Sequence, residues 1–222
     1  TIVMGAPSAW ADLTVDYPGT IAGLDSALAS YAPGGARALG ADDYLFLYTF
    51  DHGGSEDGQA YLCMAPTWDQ HYLSSRLKTK LDNIHCGQLI VAMNQCYSGG
   101  FVSNVLTSTG PGATAILTAC SGTQNAYPSG ASSAGGYFSG ALMAALNWGY
   151  PASLPADFPG HVAGEVTWHD ANGDGMICAE DAWNFVDSTM HAHHSATISG
   201  LETPQWGVSA AGVGTNLFWG KP

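Results

Sequence analysis

Residues 44–54 read YLFLYTFDHGG, and residues 88–100 read QLIVAMNQCYSGG. Each stretch begins with a mainly apolar run, which is typical of a central strand in a parallel sheet covered on both faces. Each run ends in polar residues flanked by glycine. Because the carboxyl ends of neighbouring parallel strands meet at one edge of a sheet, we expect His52 and Cys96 to lie side by side there. Open α/β sheets bind their ligands at this edge.

The rest of the chain alternates short apolar strands with amphipathic helices, which predicts an α/β fold with a mostly parallel sheet flanked by helices on both faces. At 222 residues the chain suits one well-buried domain, which we assign to residues 1–222. The further predicted elements are a helix from its Thr20 cap to Tyr31, a strand over Tyr61–Met64, a helix over Asp69–Leu81, a strand over Ala113–Ala119, helices over Ala134–Trp148 and Ala179–His191, and two short strands near the end.

Composition excludes some classes of partner and indicates where the protein is located. Five Lys and Arg residues stand against eighteen Asp and Glu residues, so the formal net charge is −13 and a nucleic-acid backbone would be repelled. An uninterrupted apolar run of about 18 residues is absent, so no transmembrane segment is predicted. The low lysine content and the 29 glycines favour an extracellular, secreted protein.

The five cysteines are Cys63, Cys86, Cys96, Cys120 and Cys178, and none forms a C-x-x-C pair of the kind found in zinc and redox sites. In an oxidising compartment four of them could form two disulfides and leave one free thiol. Four cysteines allow three connectivities, and the spacing does not choose among them.

His52 and Cys96 together provide the parts of an acyl-transfer site. A thiolate attacks a carbonyl carbon, and a neighbouring imidazole accepts the thiol proton and later protonates the leaving amine. The main-chain amides of Gly53 and Cys96 could donate to the developing oxyanion. Asp51 is not predicted to be a third catalytic residue. Adjacent strand residues point to opposite faces of a sheet, so its carboxylate would not reach the His52 imidazole. The alternative is structural: a buried cysteine often acts as a small hydrophobic residue and a single histidine as a hydrogen-bonded polar group.

FDHGG and NQCYSGG resemble the His-Gly and Cys signatures of the caspase-like cysteine peptidases, which include caspases, legumains, metacaspases and clostripain-like enzymes. Cys96 follows His52 by 44 positions, close to the caspase spacing. The similarity extends to Thr118–Ser121, to the helix over Gly135–Trp148 and to Glu202–Trp206. The resemblance implies a cysteine endopeptidase that acts on peptide or protein substrates.

The resemblance also identifies candidate substrate-binding residues and a departure from the family. Asn94 stands two positions before the cysteine, where relatives that accept Arg or Lys carry an acid, and Ser121 follows the third strand. Members of the family carry another strand and helix before the segment that Thr1 opens, which implies that this chain lacks them. We therefore expect an excised amino-terminal fragment or another subunit at the exposed sheet edge, and self-processing before Thr1.

Residues 170–181 read DANGDGMICAED and match the twelve-residue calcium loop of EF-hand and dockerin-like proteins. The oxygen ligands would come from Asp170, Asn172, Asp174, the Met176 carbonyl and Asp181, with Gly175 at the turn. The alternative is an Asx-rich turn that caps the helix over Ala179–His191.

Three nearby histidines, His191, His193 and His194, could ligate a transition metal, although a solvated helix end explains them as well.

Two functions from different classes remain open. The first is a secreted, calcium-stabilised cysteine endopeptidase with a Cys96–His52 dyad. The second is an inactive caspase-like scaffold that uses its sheet edge for extracellular assembly or adhesion, with the thiol buried or in a disulfide.

Overall fold

A computed structural model of the chain describes residues 4–5, 16–67, 69–127, 136–146, 170, 176–197 and 202–220. The elements in chain order are β1 (Met4–Gly5), β2 (Tyr17–Pro18), α1 (Ile21–Tyr31), β3 (Tyr44–Phe50), β4 (Gly53–Glu56), β5 (Gln59–Met64), β6 (Gln70–Leu73), α2 (Ser74–Leu81), β7 (Gln88–Asn94), α3 (Val102–Leu106), β8 (Ala113–Thr118), α4 (Tyr137–Ala145), β9 (Ile177–Cys178), α5 (Ala179–Thr197), β10 (Gln205–Val208) and β11 (Phe218–Gly220).

The central sheet has four strands in the order β10-β8-β7-β3. Strands β3, β7 and β8 run parallel, and β10 pairs antiparallel with β8. Side chains of β7 alternate between two hydrophobic clusters. Ile90 and Ala92 face the cluster that includes α4 and α5, while Leu89, Val91 and Met93 face the cluster that includes α1, α2 and α3. The predicted α/β class, with a mostly parallel sheet and helices on both faces, is confirmed.

The segment after His52 folds differently from the prediction. Residues 70–73, expected in a helix over 69–81, form β6, which pairs antiparallel with β5 as the third strand of a β4-β5-β6 sheet. The helix begins only at Ser74. The turn between β4 and β5 is Asp57-Gly58, with φ of 49° and 77°, as two-residue hairpin turns require. The Asp-Gly dipeptide is the sequence signal for this hairpin.

The other predicted elements within the described residues are found, some with the predicted bounds and some with shifted bounds. Thr20 caps α1 as expected, because its hydroxyl accepts a hydrogen bond from the Gly23 amide at 3.1 Å. Helix α5 extends to Thr197, six residues beyond the expected end. Helix α4 covers the middle of the predicted 134–148 span, and residues 134–135 and 147–148 at its two ends lie outside the described residues. In the part of the chain that is described, no helix has the length and apolar character needed to cross a bilayer.

An ionic cluster centred on Asp25 fastens α1 to β6 and α2. Its carboxylate accepts hydrogen bonds from Arg76 at 2.5 Å and from the Tyr72 hydroxyl at 2.9 Å, and Lys80 lies 3.3 Å away. The Arg76 guanidinium is the main reason that the pKa of Asp25 is lowered to about 2. A carboxyl group with a depressed pKa stabilises the fold above its unfolded pKa and loses that effect as the pH falls.

We predict that Asp25→Asn lowers the free energy of unfolding at pH 7 by about 1 kcal/mol, after allowance for solvent screening of the half-exposed Arg76. The difference from wild type should disappear as the pH falls from about 4 to about 2, because Asp25 becomes protonated in that range. Urea denaturation at a series of pH values measures it. The exposed Asp42→Asn variant is the control, and an Asp25→Asn deficit that stays constant down to pH 2 would contradict the prediction.

Candidate active site

The register of β3 and β7 brings the two expected reactive residues to one place. The last paired residues of the two strands are Phe50 and Asn94. His52 and Cys96 each lie two residues beyond that pair, at the carboxyl edge of the sheet. His52 is exposed and Cys96 is half-buried. The backbone therefore confirms that the two strand ends are neighbours.

Gly53 lets the two segments touch. A Cβ at this position would lie 2.5 Å from the Cys96 carbonyl oxygen, 2.8 Å from the Gln95 side chain and 2.9 Å from the Tyr61 carbonyl oxygen. A side chain cannot fit into that space without separating the main chains. The residue after the histidine thus packs directly against the main chain of the cysteine. This close contact gives Gly53 a structural reason to be glycine, besides its predicted role in the oxyanion hole.

A buried hydrogen bond joins the same two strand ends. Thr49, next to the last residue of β3, donates its hydroxyl to the Gln95 side-chain oxygen at 2.8 Å. Gln95 is 1% exposed, so the bond is shielded from water. The residue preceding Cys96 therefore acts to position the cysteine relative to the segment that carries His52.

The chain turns sharply straight after the cysteine. Tyr97 has φ of 60°, a left-handed conformation that is uncommon for a bulky residue and often found at functional sites. Its amide donates to the Gln124 carbonyl at 2.8 Å, and the Gly99 amide donates to the Cys120 carbonyl at 2.9 Å. The turn therefore rests on the loop that follows β8.

Gln124 organises this supporting loop. Its side-chain oxygen accepts hydrogen bonds from the main-chain amides of Ser121 at 3.2 Å and Thr203 at 3.0 Å. Its main-chain oxygen accepts from Tyr97 and from the Cys120 thiol. The Glu202–Trp206 segment, which carries part of the family resemblance, is thereby joined to the loop that contacts the turn after Cys96. The sequence pattern does not single out Gln124, because two of its partners, Tyr97 and Thr203, come from distant parts of the chain.

All five cysteines are free thiols, so none of the possible disulfides is formed. Four are buried and Cys96 is the exception. Burial raises the pKa of Cys63 and Cys120 above the usual thiol value, and it is the first cause of the rise to about 11 at Cys86 and Cys178. These four are poor nucleophiles at neutral pH, because the thiolate is the reactive form. The Cys96 thiol, which points toward the Ala126 carbonyl at 3.7 Å, is the accessible one.

His52 is held through its main chain. Its amide donates to the Asp51 carboxylate at 2.7 Å, and its carbonyl accepts from the Cys63 amide at 2.9 Å. The first of these bonds gives Asp51 a local structural task as the cap of this turn. The second attaches the histidine to β5, so the antiparallel hairpin helps to fix its position.

The two predicted substrate-binding residues have different surroundings. Asn94 is 3% exposed, and its amide donates to the Ser139 hydroxyl of α4, which also bonds the Tyr48 hydroxyl at 2.6 Å. This position suits a residue that fixes the sheet edge against the helix. Ser121 is half-buried in the loop after β8, and its hydroxyl lies 3.3 Å from that of Thr123. Direct contact with a substrate therefore has more support at Ser121 than at Asn94, and it stays a prediction for both.

The predicted calcium loop is described only in part. Asp170, Met176 and Asp181 are among the described residues, whereas Asn172 and Asp174 are not. Asp181 is 4% exposed, and its carboxylate accepts hydrogen bonds from the Cys178 amide at 3.0 Å and thiol at 2.9 Å. The Asp181 amide donates back to the Cys178 sulfur at 3.4 Å, which is the reciprocal pattern of a helix cap.

These contacts are compatible both with a calcium loop and with a turn that only caps the helix. The described residues contain no cluster of three or more His, Cys, Asp or Glu that could hold a metal, and two of the five proposed ligands lie outside them. Among the three histidines considered as ligands of a transition metal, His191 bonds the Asp187 carbonyl at 2.8 Å. The side chains of His193 and His194 lie outside the described part.

Comparison with known proteins agrees with this architecture. The model of the peptidase C13 family matches residues 16–147, more than half of the chain. The fold is similar to the crystal structure of protein GSU0716 from Geobacter sulfurreducens, with a TM-score of 0.55, 13% identity, and coverage of 90% of this chain and 77% of that one. At this identity the likeness concerns the fold alone. No curated protein matches the sequence.

We predict that Gly53→Ala destabilises the protein by about 1–3 kcal/mol, since the added methyl group has to displace the Cys96 main chain. Urea denaturation measures the loss, and the rate of Cys96 alkylation in the native protein reports the altered turn. Gly40→Ala is the matched control, because the nearest atom to its added Cβ would be 3.7 Å away. Equal stability of the two variants would contradict the close contact.

Proposed function

Because the chain belongs to the peptidase C13 family, the legumain family of cysteine peptidases, we propose that it is an endopeptidase with Cys96 as nucleophile and His52 as acid and base. The observation that carries the proposal is the convergence of the two strand ends. Parallel pairing ends at Phe50 and Asn94, and the Gly53 position is in van der Waals contact with the Cys96 main chain.

The proposed chemistry follows from these placements. His52 accepts the thiol proton of Cys96, and the sulfur attacks the peptide carbonyl carbon. The negative charge that develops on the carbonyl oxygen would be stabilised by hydrogen bonds from the amides of Gly53 and Cys96. The carbon–nitrogen bond then breaks as the imidazolium protonates the leaving amine. Water, deprotonated by His52, hydrolyses the resulting thioester and restores the thiol.

Thiol reactivity tests the proposal. A peptide-based electrophile directed at acyl-transfer cysteines should label one site per chain in wild type, identified as Cys96 by mass spectrometry. Cys96→Ala should show neither labelling nor peptide hydrolysis, and His52→Ala should lower hydrolysis by at least about a hundredfold. The buried-thiol variant Cys86→Ala serves as control and should behave as wild type. Proteolysis profiling with a peptide library gives the residue preference.

The same Cys96→Ala variant tests self-processing, because any cuts that the protein makes in its own chain should be absent from the variant. Hydrolysis that persists in folded Cys96→Ala would overturn the assignment of the nucleophile.

The second candidate function, a scaffold for assembly or adhesion, is favoured by the surface of β3. Among the described strands, β3 pairs on one side only, with β7. One face of β3 exposes four large side chains, those of Tyr44, Phe46, Tyr48 and Phe50, of which Tyr44 is 62% exposed. We propose that a strand from an excised amino-terminal fragment or another subunit pairs with this edge. A chain that forms such assemblies but fails to react at Cys96 would support the scaffold function over the peptidase.

We further propose that residues 170–181 bind Ca2+ and that the ion stabilises the fold without switching it. The loop ends in the first turn of α5, where Ala182, Val186 and Met190 join the core beneath the sheet. An ion held there would fix the start of a helix that packs along the whole cluster. An extracellular location, predicted from composition, would supply the calcium.

Calcium at about 100 times its dissociation constant should raise the free energy of unfolding by about 2.7 kcal/mol, and a chelator should remove that gain. Thermal unfolding with calcium and with chelator measures the effect. The double variant Asp170→Asn with Asp174→Asn should lose the response. Glu180→Gln, which changes an acid at a non-ligating position, should keep it. Identical melting temperatures in wild type with calcium and with chelator would disprove the calcium site.

A further inference from the structure

Two aromatic rings lie stacked on the outer face of the β4-β5-β6 sheet. The Tyr61 and His71 ring centroids are 3.7 Å apart with an angle of 8° between the planes. His71 Nδ1 lies 2.7 Å from a carboxylate oxygen of Glu56, and the Glu56 side chain is 55% exposed. The opposite face of the same sheet is in the hydrophobic core, through Leu62 and Tyr72. The stacked pair and its carboxylate are therefore accessible to a ligand.

This platform adjoins the proposed catalytic pair. Position 53, next to His52, approaches both the Cys96 carbonyl and the Tyr61 carbonyl, and a Cβ on Gly54 would collide with the Tyr61 ring. The ring thus lies over the main chain two residues beyond His52. Two residues of extended chain span about 7 Å, which is also the span of two residues of an extended substrate. A side chain close to the cleaved bond can reach the platform.

The charge around the platform is negative. Asp57, in the turn directly after Glu56, is exposed, and so is Asp51, five residues before Glu56. Four of the five Lys and Arg residues are described, and each is in an ion pair with a carboxylate other than Glu56: Arg37 with Asp16, Arg76 and Lys80 with Asp25, and Lys78 with Asp82. Within the described residues, no Lys or Arg is paired with Glu56.

The pKa of Tyr61 agrees with this setting. It is raised, first by burial and then by the charges of Cys63, Glu56 and Tyr97. Tyr97 directly follows Cys96, so the electrostatic environment of the ring includes the turn that carries the nucleophile.

We propose that Tyr61, His71 and Glu56 form a subsite for the cationic side chain of an Arg or Lys residue within two positions of the cleaved bond. The cation would stack on the paired rings and meet the Glu56 carboxylate. The proposal rests on the peptidase function, because it places a substrate side chain beside the catalytic pair. It assigns a specificity role to Glu56, Tyr61 and His71, which lie outside the sequence motifs.

Matched peptides test the subsite. We compare kcat/KM for peptides that carry either Arg or its neutral isostere citrulline. The substituted residue is the first or the second on either side of the cleaved bond. Lys is compared with norleucine at the same four positions. In wild type, Arg should be preferred over citrulline by about tenfold at one of these positions. Glu56→Gln and Tyr61→Leu should each reduce the preference to about threefold or less, mainly through KM.

Asp57→Asn is the control, because it removes a carboxylate from the same turn and asparagine tolerates the left-handed conformation there. It should keep most of the preference, because Asp57 adds to the surrounding charge but is not one of the three residues of the platform. Stoichiometric labelling of Cys96 in every variant shows that the active site is intact.

The outcomes separate the subsite from the peptidase function. If wild type hydrolyses peptides without any preference for the cation at the four positions, the subsite is disproved and the peptidase function stands. A preference that Glu56→Gln and Tyr61→Leu leave unchanged also disproves it. If wild type hydrolyses no peptide and Cys96 does not label, the peptidase function fails and the subsite fails with it.

Discussion

The close contact of Gly53 with the main chain of Cys96 is the constraint on which the site depends. Parallel pairing of β3 with β7 aligns the two strand ends and sets the strands about 4.8 Å apart. Pairing alone does not bring the two segments that follow the strands into contact, because side chains would lie between them. A glycine at this position removes the side chain, so the segment with the histidine can rest on the segment with the cysteine. The Thr49–Gln95 hydrogen bond then fixes the same junction from the buried side.

The loop after β8 forms a second layer that supports the turn after Cys96. The left-handed Tyr97 turn would be costly in isolation, and its main-chain hydrogen bond to Gln124 offsets part of that cost. Gln124 is in turn bonded to Thr203, just before β10. Strand β10 therefore serves the site through the loop that it anchors, although it contributes no expected reactive residue.

In the proposed peptidase, the central sheet and the small β4-β5-β6 sheet have different tasks. The parallel strands hold the proposed reactive pair at their carboxyl ends. The β4-β5-β6 hairpin adds an accessible aromatic and acidic surface beside it. Such a division is common in α/β proteins, because loops and hairpins at a sheet edge can vary without disturbing the core. The formal net charge of the chain is −13, which favours cationic ligands in general, and the acidic surface of this small sheet would favour them as well.

The sequence by itself determined the α/β class, the strands over 44–50 and 88–94, and the shared edge of His52 and Cys96, because these follow from the apolar period and from the alignment of parallel strands. It did not determine that residues 70–73 form a strand, that Asn94 is buried against α4, or that Tyr61 stacks on His71. Those features depend on which distant segments pack together. Local periodicity records only neighbours along the chain, so contacts between separate segments are decided by the tertiary structure.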